Sequence, residues 1–207
     1  MTDNTTPSET PPPDGAPGKP PLVLVVGFSD AGKTTVLEKL IPAFVRRGYR
    51  VGTIKHHHGA RLELDKPGKD SWRHKAAGAD TAVVCSPTRI GMVRDVDRDP
   101  GPEGLLPLFS EMDIVLCEGY KTAAWPKVEV FRRERVDRPI CTNDPHLLAI
   151  IGDHPEKAAV PCFSWHECGR LCEYLIERLL PADRRHSGNA NGRHPGCASG
   201  AGVDGRG

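Results

Sequence analysis

No apolar run in the chain approaches the roughly 20 residues that a membrane-spanning helix needs, so no transmembrane segment is expected. The opening stretch MTDNTTPSETPPPDGAPGKPP has no basic start followed by an apolar core, so no secretory signal is expected, and a cytoplasmic location is. Net charge is also lacking. Acidic and basic residues nearly cancel, to +1 over 207 residues, which argues against wholesale binding to nucleic acid or an anionic membrane but leaves room for a local basic site. The seven cysteines show no paired C-x-x-C pattern, and a chain this long is not a disulfide-stapled miniprotein. Cys85 and Cys117 lie inside apolar runs and are expected as small buried hydrophobes. Cys162, Cys168 and Cys172 cluster too loosely to give a zinc site much support. No internal repeat is visible.

The length suits one α/β domain with a sizeable core. Residues 1–20 are rich in Pro, Thr and Gly, and residues 183–207 carry no apolar periodicity; both are expected to be disordered tails around a domain spanning 21–182. His186 and His194 in the second tail read as solvated. Between the tails, short β-rich runs alternate with helical patterns. The strands are expected at 22–26, 50–55, 81–86, 89–93, 113–118, 127–131 and 147–151, and the helices near 34–47, 70–77, 103–110 and 166–180. Several runs are apolar at every position, as strands covered on both faces are. The first helix presents Val36, Leu37, Leu40, Ile41, Phe44 and Val45 on one face, with Pro42 as an interior kink and Gly48 as its stop. The last presents Leu171, Leu175, Ile176 and Leu179. This alternation predicts a three-layer α/β fold with a mainly parallel sheet. The runs 81–86 and 89–93, joined through Ser86-Pro87-Thr88, read as a β-hairpin insertion.

The sharpest local signal is Gly27-Phe28-Ser29-Asp30-Ala31-Gly32-Lys33-Thr34, a G-x-x-x-x-G-K-T phosphate loop between an apolar strand and an amphipathic helix. The glycines let successive N–H groups turn inward on an anion. The helix start adds its partial positive charge, and Lys33 brings a full charge to the β- and γ-phosphates. The Thr34 hydroxyl can ligate Mg2+. Such a loop needs an acid on a neighbouring strand. Asp113 opens the run DIVLCE and Glu118 closes it, about 16 Å apart at roughly 3.3 Å per residue. Ligands lie at the C-terminal strand ends of a parallel sheet, so Glu118 is the expected acid near the metal or its water.

Lys55-His56-His57-His58 ends the second strand on the same side, as part of an anion-binding mouth or, less simply, a metal cluster. Successive side chains of an extended segment alternate, so three histidines cannot serve one site. Asp65-Lys66-Pro67-Gly68-Lys69-Asp70-Ser71-Trp72-Arg73 is a Pro-Gly turn running into a helix, with Asp70 or Ser71 as its cap. Its mixed charges fit a solvated loop or a ligand-sensing one.

Together the segments GFSDAGKTTVLEKLIPAFVRRGYRVGTIKHHH, DKPGKDSWRHKAAGA, DIVLCEGYK and PKVEVFR closely resemble the molybdopterin-guanine dinucleotide biosynthesis protein B (MobB) family, over residues 21–180. The resemblance implies a P-loop, GTP-binding, homodimeric protein with weak GTPase activity. Such proteins support conversion of molybdopterin cofactor to its guanine dinucleotide form, as adapters beside the MobA-type molybdenum cofactor guanylyltransferase. By matching motifs, Gly27 to Thr35 hold phosphates, Lys33 and Glu118 are the catalytic groups, Thr34 and Glu118 lie at Mg2+, and Asp65 to Ser71 form a loop at the mouth. Molybdopterin carries an anionic phosphate, which suits a second-ligand mouth made of Lys55, His56, Asp65, Lys69, Asp70 and Arg73. One departure is clear: no N-K-x-D for guanine is present. Asp144, in Cys141-Thr142-Asn143-Asp144, is placed to take that part, and Asn143-Asp144-Pro145 is equally a turn. A small-molecule kinase and a metallochaperone NTPase remain as alternatives. No compact Arg-x-x-x-Arg lid stands out in favour of the first, and the histidines at 56–58 speak for the second.

Overall fold

The computed structural model describes residues 19–57, 59, 62 and 65–181. Of the residues expected as tails, 1–18 and 183–207, with His186 and His194, lie outside the described residues, as do His58 and position 182. Lys19 and Pro20, which were counted with the first tail, are described, and Pro20 is buried.

Leu22–Val26 (β1) is apolar at every position and buried at every position, as a central strand of a parallel sheet must be. The same holds for most of Ile114–Glu118 (β5), Lys127–Phe131 (β6) and Leu147–Gly152 (β7). With Val51–Lys55 (β2) and Cys162–Phe163 (β8) they form one six-stranded sheet, ordered β2-β5-β1-β6-β7-β8. Every pairing in it is parallel. Thr81–Cys85 (β3) and Ile90–Arg94 (β4) form the expected hairpin, as a separate antiparallel pair.

Lys33–Val45 (α1) and Cys168–Leu179 (α4) cover one face of the sheet. Val36, Leu40, Phe44, Leu171 and Leu175 there meet Val23, Val25, Leu116, Val130 and Ile151. The other face is covered more thinly, by Gly101–Leu105 (α3), a 3-10 turn at Leu106–Phe109, and loop residues such as Trp125 and Cys141. A continuous helix over 103–110 does not form: Gly101 and Gly104 weaken the first turn, and Pro107 lacks the N–H that an α-helix needs beyond it. α1 runs on through Pro42 to Val45, and a turn ending at Gly48, φ 87°, follows it. Ala43 joins its buried face, whereas Val45 is exposed.

Asp70–Ala76 (α2) has Lys69, not Asp70 or Ser71, at its cap, and no side chain caps it. It rests on β3, and none of its residues is buried. Cys85 corrects the expectation of burial: it is exposed, because α2 rests on β3 without burying it, Ala82 being the one buried residue of that strand, whereas Cys117 in the central sheet is buried. Burial pushes the Cys117 thiol up to about 12. Cys168 and Cys172 face the core from α4.

β6 carries two buried charges, Lys127 and Glu129. The Lys127 ammonium donates to the carbonyls of Lys121 and Ala123, 3.0 Å each, and to Asp144 Oδ2. Glu129 accepts from the backbone N–H groups of Ile140 at 2.7 Å and Cys141 at 2.9 Å. The central strand thereby fastens both loops that flank it.

Burial alone would push the Asp144 carboxyl up. Lys127 and the backbone N–H of His146 more than offset this and hold it below its ordinary 3.8. A depressed folded value adds stability that is full above the unfolded value and lost as pH falls through the folded one. Asp144→Ala is therefore expected to lower unfolding free energy by about 3 kcal/mol at neutral pH, by leaving Lys127 buried without a counter-charge. Urea titration should show the gap between wild type and variant closing below about pH 4; a gap that persists unchanged in acid contradicts the pairing.

Candidate nucleotide-binding site

β1 delivers the chain to the loop 27–34 at the C-terminal edge of the sheet. Gly27 holds φ 148°, and a Cβ there would stand 2.4 Å from the Val130 carbonyl oxygen of β6. No larger residue fits that crossing, because the obstacle is backbone. Asp30 takes φ 57°, the Ala31 N–H closes a turn on the Phe28 carbonyl at 3.3 Å, and the buried Ala31 anchors the loop from beneath. Gly32, left-handed at φ 95°, caps α1, which starts at Lys33 with no acidic residue in its first turn. The positive helix end is thus left uncompensated by any carboxylate of its own, the condition for attracting an anion. Lys33 Nζ donates to the carbonyl oxygens of Phe28 at 2.8 Å and Gly27 at 3.4 Å, arching over the loop. Ser29, Thr34 and Thr35 are exposed beside it.

Glu118 lies opposite. The register pairs it with Val25 of β1 and Lys55 of β2, so three strand ends meet at the loop. The Thr34 hydroxyl donates to the Glu118 carboxylate, 3.1 Å from Oε2 and 3.4 Å from Oε1, and Lys55 Nζ stands 3.9 Å from Oε1. Hydroxyl and carboxylate converging at the end of a phosphate loop are the hard oxygen donors that Mg2+ takes, so these residues fit that ion. Asp113, at the far end of β5, accepts from the Arg50 N–H at 2.6 Å and takes no part.

His56 is bound into the wall rather than left open. Its N–H donates to the Glu118 carbonyl at 2.9 Å, its ring stacks on Tyr120 at 3.9 Å, and Nε2 bonds Asp99 Oδ2 at 2.8 Å. Asp99 also accepts from the Tyr120 hydroxyl at 2.7 Å and from the Gly101 N–H at 2.9 Å. These bonds, that of Tyr120 foremost, hold its carboxyl below the ordinary range. Gly119 is required here, since a Cβ would come within 2.8 Å of His56 Cβ. Asp99 had no signal in the sequence: it sits in a mixed-charge run, 43 residues from His56.

The remaining mouth residues bond within their own segment. Asp65 accepts from the Lys66 N–H at 2.9 Å, and Asp70 pairs with Arg73 at 3.6 Å on exposed α2. Among the described residues, no hydrogen bond or ion pair joins Lys69, Asp70 or Arg73 to Lys55, Glu118 or the loop 27–34. Asp144 lines a cavity of about 1370 Å³ that Phe28, Lys121, Arg138, His146 and Lys157 also border. Its carboxylate is engaged with Lys127 and His146. Among the described residues no group of three His, Cys, Asp or Glu is placed to hold a metal.

The family model for molybdopterin guanine dinucleotide synthesis protein B matches residues 22–153. The chain is 36% identical over 137 residues to the molybdopterin-guanine dinucleotide biosynthesis adapter protein of Haemophilus influenzae, covering 65% of this chain and 76% of that one. Against the Escherichia coli adapter protein it is 34% identical over 165 residues, covering 76% of this chain and 92% of that one. Among solved structures, the fold is similar to the crystal structure of Bacillus subtilis MobB, with a TM-score of 0.62 and 30% identity, covering 78% of this chain and 99% of that one.

Proposed function

The chain belongs to the molybdopterin guanine dinucleotide synthesis protein B family, and from that premise we propose that it is a GTP-binding adapter with weak GTPase activity. It supports conversion of molybdopterin cofactor to the guanine dinucleotide form, acting in the cytoplasm beside a MobA-type guanylyltransferase. The observation that carries this reading is the phosphate loop curled around Lys33 and facing Glu118 across the Thr34 hydroxyl, in a chain whose relatives are named adapters for that pathway. Loop N–H groups and Lys33 bind the phosphates, and Thr34 and Glu118 would hold Mg2+. That ion, when bound, supplies charge neutralisation to the β- and γ-oxygens. The second, phosphate-bearing ligand meets Lys55 beside Glu118, with Lys69 and Arg73 supplying further positive charge.

The adapter is a homodimer in this reading. The hairpin leaves Val83 58%, Val84 54% and Ile90 74% exposed, an apolar surface of the kind that a second copy covers. Among the described residues no helix is long and apolar enough to cross a membrane.

Reconstitution tests the function. Guanylyltransferase, molybdopterin cofactor and GTP at limiting concentration are expected to yield more dinucleotide when this chain is added, and Lys33→Ala should abolish the gain. No gain with wild type overturns the adapter reading. In the same assay, Lys69→Gln with Arg73→Gln is expected to weaken capture of the cofactor, and unchanged capture removes both from the mouth. For the dimer, light scattering should give twice the chain mass for wild type and the monomer mass for Ile90→Asp. A monomeric wild type rejects the hairpin contact.

A further inference from the structure

We infer that Arg132, Asp153 and Trp165 form the subsite for the purine of the nucleotide, and that Asp153, not Asp144, selects guanine. This rests on the nucleotide reading given above and supplies the recognition element that the missing N-K-x-D leaves open.

The strand order divides the mouth in two. β5 and β2 lie on one side of β1 and bring Glu118 and Lys55 to the phosphate loop, while β6, β7 and β8 lie on the other. A nucleotide with its metal-binding end toward Glu118 has its base left for the second side. There Arg132 and Asp153, directly after β6 and β7, converge with Trp165, two residues after β8. The Trp165 indole lies against the loop itself, its Cζ3 3.4 Å from where a Cβ on Gly32 would stand. Its Nε1 donates to Asp153 Oδ1 at 3.0 Å, and the Arg132 guanidinium lies over the ring, 4.9 Å from its centroid. Asp153 is held from two further directions: its N–H donates to the Phe131 carbonyl at 2.9 Å, and its Oδ2 accepts from the Arg133 N–H at 2.8 Å. Gly152, at φ 125°, could carry no side chain, since a Cβ would fall 2.2 Å from the Phe131 oxygen and 2.9 Å from Trp165 Cζ2. The indole therefore spans the distance from the phosphate loop to a fixed carboxylate.

Acceptor capacity separates the two aspartates. A carboxylate has about four lone-pair positions. Asp144 Oδ1 already takes two donors from His146, at 2.9 and 3.1 Å, and Oδ2 serves the buried Lys127. Asp153 accepts one donor on each oxygen, leaving one position on each, side by side. Guanine presents a matching pair of parallel donors, N1–H and the 2-amino group. Adenine presents an unprotonated N1 and no amino group at position 2, so at that edge it sets acceptor against acceptor. The Trp165 and Arg133 N–H bonds hold the Asp153 carboxyl below the ordinary range, which keeps it an acceptor at neutral pH. The guanidinium–indole pair adds a flat surface of the type on which bases stack.

The test is a change of base preference. Asparagine offers one acceptor and one donor, which suits xanthine, whose position 2 carries a carbonyl. Full-length wild type and Asp153→Asn are titrated with GTP, XTP and ATP in the presence of Mg2+. The expected result is a wild type preferring GTP over ATP by roughly 100-fold or more, and an Asp153→Asn chain in which XTP overtakes GTP. An unchanged GTP-to-XTP ratio in Asp153→Asn, or a switch produced by Asp144→Asn instead, overturns the inference. If Asp153→Asn does not fold, wild type labelled with 8-azidoguanosine triphosphate decides: label between residues 153 and 165 supports the subsite, and label elsewhere overturns it. Wild type that binds none of the three nucleotides overturns the nucleotide reading as well. Wild type that binds GTP while the variant keeps its preference overturns the subsite alone.

Discussion

The parallel pairing of β1 on both its edges is the constraint on which the site depends. On one edge the register sets Val25 beside Glu118, and on the other Val26 beside Glu129. Because all the strands run the same way, their C-terminal ends and the loops that leave them share one side of the sheet. The phosphate loop emerges between an acid-bearing strand and a strand whose Val130 carbonyl passes so close that only glycine can stand at position 27. A one-residue slip of β5 against β1 would move Glu118 away from Thr34 and turn every side chain of β5 to the opposite face. The apolar pattern that buries both faces thus also aligns the chemistry.

The two buried charges of β6 make the loops as specific as the strands. Lys127 gathers two carbonyls and Asp144, and Glu129 gathers two N–H groups of the segment around Cys141. Burial pushes the Glu129 carboxyl up, against the pull of those N–H groups. Neither charge touches the phosphate loop, so their service is to hold irregular segments in one arrangement. Similar economy is seen at His56, which links the end of β2 to Tyr120 after β5 and to Asp99 before α3. The wall beside Glu118 is therefore built from three separate stretches of chain.

What the sequence disclosed was whatever is local or periodic. Strands buried on both faces are continuous apolar runs, α1 repeats at helical spacing, and the phosphate loop is eight contiguous residues. Glu118 was legible because a strand has two ends and only one can face the loop. What escaped depends on contacts between distant segments or on the absence of cover. β8 has two residues, too few to show a period. Cys85 lies in a run as apolar as Cys117's, yet α2 rests on β3 without burying it, and Ala82 is the one residue of the two hairpin strands that is buried. Asp99, Asp153 and Trp165 each sit in unremarkable loops, and only the fold brings them to His56 and Gly32. The partner of Asp144 is a lysine buried on β6, which no spacing rule reveals.

The most direct measurement is a crystal structure of the full chain with a non-hydrolysable GTP analogue and Mg2+. The account predicts β- and γ-phosphates within hydrogen-bonding distance of the backbone N–H groups of residues 30–34 and of Lys33 Nζ, with the metal reached by Thr34. Phosphates bound elsewhere, with the loop 27–34 making no contact to them, would contradict it.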